Sequence, residues 1–391
     1  MISPTGSEAA SPTNRVHNID KKVFISTGEL SGETHACHLV ESLQKTGSFQ
    51  ISAMGSERLA ALGVRIARDY RDISVTGLTE VISHAGHIKR AFDAVKTHIR
   101  TERPDLVVLV DFPGFNMRIA RFARSLDIPV IYFIPPQVWA WKRSRMEKIR
   151  KYVNGIICIL PFEEDLYAEA GVPATYVGHP FAATVRPTLD RAIFLSNIGA
   201  PPDKPILTIM PGSRKNEIAR HMPPLAKIVA AMRRSLPDLT VLVPLAESMD
   251  DRVITPYLQE IPGVIPVKKS SHNALAYCDA AIVASGSATL EAALLKAPTA
   301  IIYRISWFSY AIARLIVHVD FIGLPNIIAG KEIFPEFIQS LETETIASKA
   351  LSMIDKGRWD VAGELGSIVD KLKKQDSYRL AADTIINFLE K

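Results

Sequence analysis

Three observations predict an α/β protein built as two Rossmann-like domains facing across a cleft. First, residues 279–303 (DAAIVASGSATLEAALLKAPTAIIY) read as strand, small-residue turn, helix and strand, the unit from which parallel sheets are assembled. Second, the same alternation recurs in both halves of the chain without a close sequence repeat. Third, 391 residues exceed one ordinary domain, and a hydrophobic fraction of 47% supplies enough apolar side chains for two cores. The expected organisation is a leader over 1–20, a first domain over 21–185, a second over 186–345, and C-terminal helices over 346–391 that pack back on the first domain or on a second copy of the chain.

Composition narrows the function classes. Charged residues make up 22% and the mean hydropathy is +0.11, which describes a globular chain. No apolar stretch reaches the roughly 18–20 residues of a membrane span, and the polar N-terminus lacks a signal-peptide core, so the expectation is a cytoplasmic protein. Cys37, Cys158 and Cys278 are far apart in apolar surroundings, as small core residues in a reducing compartment. No Cys/His spacing suggests a metal site, and no cofactor fingerprint is present. The net charge of +5 suits an anionic substrate or an anionic membrane surface. Nucleic acid is not expected as a partner, because neither an aromatic-interleaved RNA motif nor a helix-turn-helix signature occurs.

In chain order, Val23 to Thr27 is the first strand and Gly28 to Gly32 a glycine-bounded turn. The helix after it carries Ala36, Leu39, Val40 and Leu43 at buried-stripe spacing. Glu29 in that turn repels phosphate, so it either meets hydroxyl groups or is solvated. Ile51 to Gly55 is a strand, and residues 80–100 form an amphipathic helix with Ile88, Ala91, Phe92, Val95 and Ile99 on one face. Asp105 to Asp111 (DLVVLVD) is a buried strand ending in an acid, at the edge where parallel sheets bind ligands. Asp111 is then a functional carboxylate or the cap of the next helix.

Val130 to Ile134 is a strand leading into a Pro-bounded loop with Trp139 and Trp141, which stack on a sugar, cover an acyl chain or belong to the core. Lys142, Arg143, Arg145, Lys148, Arg150 and Lys151 follow, either a solvated face or a surface for a membrane or a phosphorylated lipid. Gly155 to Leu160 and Ala174 to Val177 are strands, and His179 either orders the cleft or takes part in chemistry.

The second half repeats the plan. Pro205 to Met210 is a strand, and Pro211-Gly212-Ser213-Arg214 a small-residue turn into a helix striped by Leu225, Ile228, Val229 and Met232. Arg214 at a helix N-terminus matches phosphate oxygens, or pairs with Glu217 on the surface. Thr240 to Pro244 is a strand, then Ala281 to Ala284, with the helix expected over Ala288 to Ala297. The turn Ser285-Gly286-Ser287 offers N–H groups and hydroxyls, Thr289 adds another, and Glu291 stands one turn in. Together they read as a phosphate and ribose site, or as an ordinary capped turn. Residues 307–322 (WFSYAIARLIVHVDFI) are a core helix or a lipid-facing element.

Several motifs in order resemble one family. They are Gly28-Glu29-x-Ser31-Gly32, Val75-x-Gly77-x-x-Glu80-Val81, Asp111-x-Pro113-x-Phe115-Asn116, Pro136-x-Val138-Trp139-Ala140-Trp141, Leu160-Pro161-Phe162-Glu163 and Gly178-His179 in the first half. Pro211-Gly212-Ser213-Arg214, Ala284-Ser285-Gly286-Ser287-Ala288-Thr289-Leu290-Glu291 and Leu324-Pro325-Asn326-x-x-Ala329-Gly330 follow in the second. Across residues 22 to about 340 the chain resembles the lipid-A-disaccharide synthases, glycosyltransferases of the GT-B type. Glu33, where Asp is more usual, and Pro180 are mild departures.

The resemblance implies an inverting hexosyl transfer in lipid A biosynthesis. UDP-2,3-diacylglucosamine and 2,3-diacylglucosamine 1-phosphate give a β-1,6-linked tetraacyl disaccharide 1-phosphate and UDP. It implies Asp111 as general base with Glu29 second, and Arg214 on the leaving group without a metal. The UDP-sugar site would be Gly212, Ser213, Arg214, Ser285, Gly286, Ser287, Thr289 and Glu291. Ser31, Asn116 and Asn326 would position donor or acceptor. Trp139, Trp141, Lys142, Arg143 and Arg145 would dock the enzyme on the cytoplasmic face of the inner membrane. A GT-B relative with another UDP-sugar, such as a 2-epimerase, and a silent nucleotide-sugar-binding protein are the competing readings.

Overall fold

The computed structural model describes residues 17–72, 85–138, 143–245, 249–307, 310–311, 319–357, 359–374 and 376–391. Two wholly parallel sheets organise them. The first joins β1 (His17–Ser26), β2 (Gly47–Gly55), β3 (Arg65–Asp69), β4 (Leu106–Val110), β5 (Val130–Phe133), β6 (Gly155–Cys158) and β7 (Ala174–Tyr176) in the order β3-β2-β1-β4-β5-β6-β7. The second joins β8 (Ile206–Met210), β9 (Thr240–Leu245), β10 (Val264–Lys268), β11 (Ala280–Ala284), β12 (Thr299–Tyr303) and β13 (Glu336–Ile338) in the order β10-β9-β8-β11-β12-β13. Each order runs outward from a first strand, then restarts on its other side. The crevice lies where the order reverses, between β1 and β4 and between β8 and β11.

Helices cover both faces of each sheet, so the central strands are apolar on both sides. Phe24, Val107, Leu109, Val130 and Tyr132 fill one face of the first sheet, and Val23, Ile25, Leu106, Val108, Val110, Ile131 and Phe133 the other. In the second sheet Leu207, Ile209, Val241, Val243 and Ile282 face one core, and Ile206, Leu242, Ala281 and Val283 face the other.

The helices that matter here are α1 (Leu30–Thr46), α2 (Ala85–Glu102), α3 (Pro113–Arg124), α4 (Arg143–Tyr152), α5 (Lys215–Ser235), α6 (Ser271–Tyr277), α7 (Ser287–Leu294), α8 (Leu324–Ala329), α9 (Thr343–Lys356), α10 (Trp359–Leu372) and α11 (Ser377–Leu389). The stripe predicted in α1 is fully buried, as are Ala91, Val95 and Ile99 of α2. The first turn is shorter than expected. Helix α1 starts at Leu30, so Ser31 and Gly32 are helical, with Glu29 extended at its N-cap. Helix α7 likewise starts at Ser287 and ends at Leu294, short of the expected Ala297. Strands β3, β10 and β13 were not anticipated. All three are sheet edges, where charged residues and even Pro266 are tolerated and no apolar run marks the strand.

The C-terminal helices divide their packing. Ile346, Ala347 and Ala350 of α9 join the second-sheet core that α5 lines. Leu365, Ile368 and Leu372 of α10 join Leu160, Leu290, Ala293 and Ile328 in a cluster between the two sheets. Ala381, Ala382, Ile385 and Ile386 of α11 complete the first-sheet core against α1. The chain therefore passes between the sheets twice, and the two passes lie side by side. His179 donates its N–H to the Leu372 carbonyl (3.0 Å), and the Tyr176 hydroxyl donates to the Lys371 carbonyl (2.7 Å). Gly178 permits the approach: a Cβ there would stand 2.7 Å from Cβ of Lys374, and its φ is +84°.

Ile385 is fully buried. Ile385→Ala is expected to destabilise the first-sheet core by about 2–5 kcal/mol, read as a lowered urea midpoint.

Candidate active site

At the first switch point, β1 leads through Gly28 and Glu29 into α1, and β4 leads through Asp111 and Phe112 into α3. Asp111 and Phe112 both adopt left-handed backbone angles, φ +48° and +49°. Two consecutive non-glycine residues there cost on the order of 1–3 kcal/mol each, so the surroundings must hold them. Asn116 does so. Its Nδ2 donates to the carbonyls of Ser26 (3.2 Å), Val110 (3.2 Å) and Asp111 (2.7 Å), and its Oδ1 accepts from the Ser26 hydroxyl (2.7 Å). The Tyr132 hydroxyl also donates to the Asp111 carbonyl (2.7 Å). The Phe112 ring lies over Gly28, where an added Cβ would come within 2.0 Å of ring carbon Cδ1.

Asp111 is half-buried and Glu29 is exposed. Burial first, then repulsion by the Glu29 carboxylate, pushes the Asp111 carboxyl up to about 6. An acid so tuned releases and accepts protons near neutrality, as a general base requires. Ser31 is exposed in the first turn of α1. Asn116 is fully buried and cannot contact a substrate; its expected positioning role is corrected to a brace for the Asp111 turn. Glu33 is likewise structural, accepting from the Ser56 N–H (2.5 Å), the Ser56 hydroxyl (2.8 Å) and the Tyr70 hydroxyl (3.1 Å). His179 is buried, its Nδ1 accepts the Phe181 N–H (3.1 Å), and burial followed by nearby His35 pushes it down to about 3. It orders the chain there and stays neutral.

At the second switch point a cavity of about 550 Å³ opens at the carboxyl ends of the strands. Gly212, Ser213, Arg214 and Glu217 line it after β8, Ser285, Gly286, Ser287 and Glu291 after β11, and Lys269 to Asn273 after β10. Seven of the eight residues expected for a UDP-sugar site meet there. Thr289 does not: it is fully buried, and its hydroxyl donates to the Gly286 carbonyl (2.7 Å). Ser285 is also committed locally, its N–H to the Ile302 carbonyl (2.9 Å) and its hydroxyl to the Ile322 carbonyl (2.9 Å). The N–H groups available to an anion are thus those that open α7.

The Gly212–Arg214 turn is closed on an internal carboxylate. Glu217 Oε2 accepts the N–H groups of Ser213 (3.0 Å) and Arg214 (3.3 Å), and its Oε1 accepts from the Arg214 guanidinium (3.0 Å). The alternative in which Arg214 pairs with Glu217 is therefore the arrangement observed. Gly212 has φ +110°, and a Cβ there would meet Glu217 Oε2 at 2.4 Å. His221 fixes the turn from below: Nδ1 donates to the Pro211 carbonyl (2.7 Å) and Nε2 accepts the Arg304 N–H (2.9 Å).

Glu291 contacts Nε2 of His272 at 3.1 Å, and both are half-buried. The sequence reading missed His272, Lys269 and Asn273 because it missed β10, the edge strand that leads through Lys269 into α6, which carries His272 and Asn273. Asn273 is buried and ties Thr188 and Leu189 to this helix through its Oδ1 (2.9 and 3.1 Å). Asn326 is another correction. It is fully buried, donates to the Phe334 carbonyl (2.7 Å) and Glu336 (2.8 Å), and accepts the N–H groups of Ile333 and Phe334, so it braces a loop.

Trp139, Trp141 and Lys142 lie outside the described residues, as do the side chains of Arg143 and Arg145 in α4. Most of 307–322 is also outside them, but Trp307 is 73% exposed, which favours the surface reading at its start. Among the described residues no group of three or more His, Cys, Asp or Glu side chains is placed to hold a metal ion, and no helix is long and apolar enough to cross a membrane. Asn116→Ala removes the amide bonded to the Ser26, Val110 and Asp111 carbonyls, the last of which keeps the Tyr132 hydroxyl. It is expected to cost about 1–3 kcal/mol in chemical denaturation.

The family model for lipid-A-disaccharide synthetase matches residues 23–377. The lipid-A-disaccharide synthase of Myxococcus xanthus is 37% identical over 375 residues, covering 94% of this chain and 97% of the relative. That of Syntrophus aciditrophicus is 37% identical over 377 residues, covering 95% and 98%. Among solved structures, a UDP co-structure of MnaA from S. aureus aligns with a TM-score of 0.65 at 14% identity, covering 95% of this chain and 97% of that one. MurG from Acinetobacter baumannii aligns with a TM-score of 0.51 at 15% identity, covering 94% and 99%, so these likenesses carry the fold alone. The two switch-point crevices, the ordered motifs and the relatives agree: the chain belongs to the lipid-A-disaccharide synthase family, hexosyltransferases of the GT-B fold that act in lipid A biosynthesis.

Proposed function

We propose that the protein transfers the sugar of UDP-2,3-diacylglucosamine to the 6-hydroxyl of 2,3-diacylglucosamine 1-phosphate, with inversion, releasing UDP. The observation that carries the reading is the division of chemistry between the two crevices. The first presents a carboxylate raised to about 6, and the second a 550 Å³ cavity lined by hydroxyls, helix N–H groups and a guanidinium.

In this reading Asp111 takes the proton of the 6-hydroxyl as its oxygen bonds to the anomeric carbon. The bond to the β-phosphate breaks on the opposite face, and its electron pair leaves with UDP. Arg214 and the N-terminus of α7 stabilise the charge that develops there. Glu291, held by His272, accepts from the ribose hydroxyls, with Gly212, Ser213, Ser285, Gly286 and Ser287 forming the floor. Entry of the diphosphate displaces Glu217 from the donors it occupies. Neither a metal nor a cofactor is assigned a part. Both substrates carry acyl chains, which supports a reaction at a membrane surface, in this reading the cytoplasmic face of the inner membrane. Trp139, Trp141, the basic residues from Lys142 and exposed Trp307 are the docking elements in this reading.

Incubation of the purified protein with both substrates and EDTA is expected to give disaccharide and UDP by mass spectrometry. UDP binding without product would move the assignment to another acceptor. Asp111→Asn is expected to lower kcat by about 10²–10⁴-fold with UDP affinity unchanged.

The pH profile carries a further test. Asp111 works ionised and its carboxyl lies near 6, so kcat/KM falls as pH drops through about 6. Glu29→Gln removes a repelling charge and moves that acid limb to lower pH.

A further inference from the structure

Beside Asp111, helices α2, α3 and α4 enclose two adjoining cavities of about 320 and 850 Å³. Arg118, Arg121 and Tyr152 line both, Lys148 lines the first, and Lys96 and Arg124 line the second. Among the described residues no acidic side chain lines either. Among the described residues Arg118, Arg121, Arg124 and Lys148 make no ion pair. Aromatic faces hold the flanking cations at the wall: Lys96 stands 5.0 Å from the Phe122 ring centre and 5.4 Å from that of Phe92, and Lys151 stands 5.6 Å from that of Tyr152. Like charges gathered without counter-charges repel one another, so the arrangement is stabilised when an anion enters.

The position of the groove says which anion. Its wall begins at Pro113 and Gly114, directly after the Asp111–Phe112 turn, and Pro136 from the loop after β5 lies across from them. In the acceptor the phosphate sits on C1 and the reacting hydroxyl on C6, which branches from C5, so the two groups flank the ring oxygen and lie within about one sugar width of each other. With that hydroxyl at Asp111, the phosphate stands within about one sugar width of the carboxylate, and the wall that begins two residues on at Pro113 is a cationic surface adjoining that turn. Resting on the function proposed above, we propose that the groove of α3 and α4 binds the phosphate monoester of the acceptor, with Arg118 and Arg121 as its principal ligands and Lys148 closing the site. Guanidinium groups one helical turn apart present paired donors that suit a phosphate dianion. The groove thereby selects a phosphorylated acceptor over the free sugar.

The test compares binding of 2,3-diacylglucosamine 1-phosphate and of 2,3-diacylglucosamine in neutral detergent micelles. It uses the wild type, the Arg118→Gln/Arg121→Gln variant, and Lys148→Gln as an independent variant on another helix. All three side chains are exposed, and UDP affinity serves as the folding control. The wild type is expected to prefer the phosphorylated ligand by about tenfold or more, and the double variant to lose that preference with UDP affinity intact. In turnover the double variant raises KM for the acceptor and leaves that for the donor unchanged. No preference in the wild type, or a preference that survives in the double variant, overturns the inference. Loss of binding to phosphatidylglycerol vesicles with the phosphate preference intact also overturns it, and makes the groove a membrane contact. A wild type that shows the preference but forms no disaccharide sinks the proposed reaction and leaves the groove standing.

Discussion

One buried amide holds the first-sheet half of this molecule in shape. Asn116 bonds the ends of β1 and β4 at once, across the point where the first sheet's strand order reverses. The two strands send their helices to opposite faces, so their ends diverge and a crevice opens between them. Without a tie, the left-handed Asp111–Phe112 turn would relax and carry its carboxylate away from Glu29. The second sheet solves the same problem with a different group. There His221 bridges the Pro211 carbonyl and the Arg304 N–H, and burial keeps the ring neutral so that one nitrogen donates and the other accepts.

The fold was legible where burial is two-sided. Central strands such as β4 and β11 are unbroken apolar runs because helices cover both faces. Three of the four edges, β3, β10 and β13, were not legible, because an edge strand is half wet and its sequence resembles a loop, whereas the edge β7 was read as a strand. Missing β10 carried a cost beyond the fold, since the helix after it brings His272 to Glu291.

The site was legible as a set of motifs but not in its orientations. Asn116, Thr289 and Asn326 are polar residues in the right stretches, yet all three point inward. Helical periodicity held the signal for the first: Asn116 shares the buried stripe of Phe115, Ile119, Ala120 and Ala123. Thr289 similarly sits with Leu290, Ala292 and Ala293. A polar residue on an apolar stripe marks a brace more often than a ligand. The pairing of Arg214 with Glu217 was foreseen only as an alternative, and the capture of the Ser213 and Arg214 N–H groups by the same carboxylate was not foreseen, because a helix-capping Glu and a phosphate require the same N–H groups.

The paired chain passes at 176–179 and 371–374 have a mechanical consequence. Two separate tethers would let the halves slide as well as turn. Two tethers hydrogen-bonded side by side act as one short pivot, which resists sliding more than turning. Under rotation, points far from the pivot travel furthest, while their order along the opening is preserved.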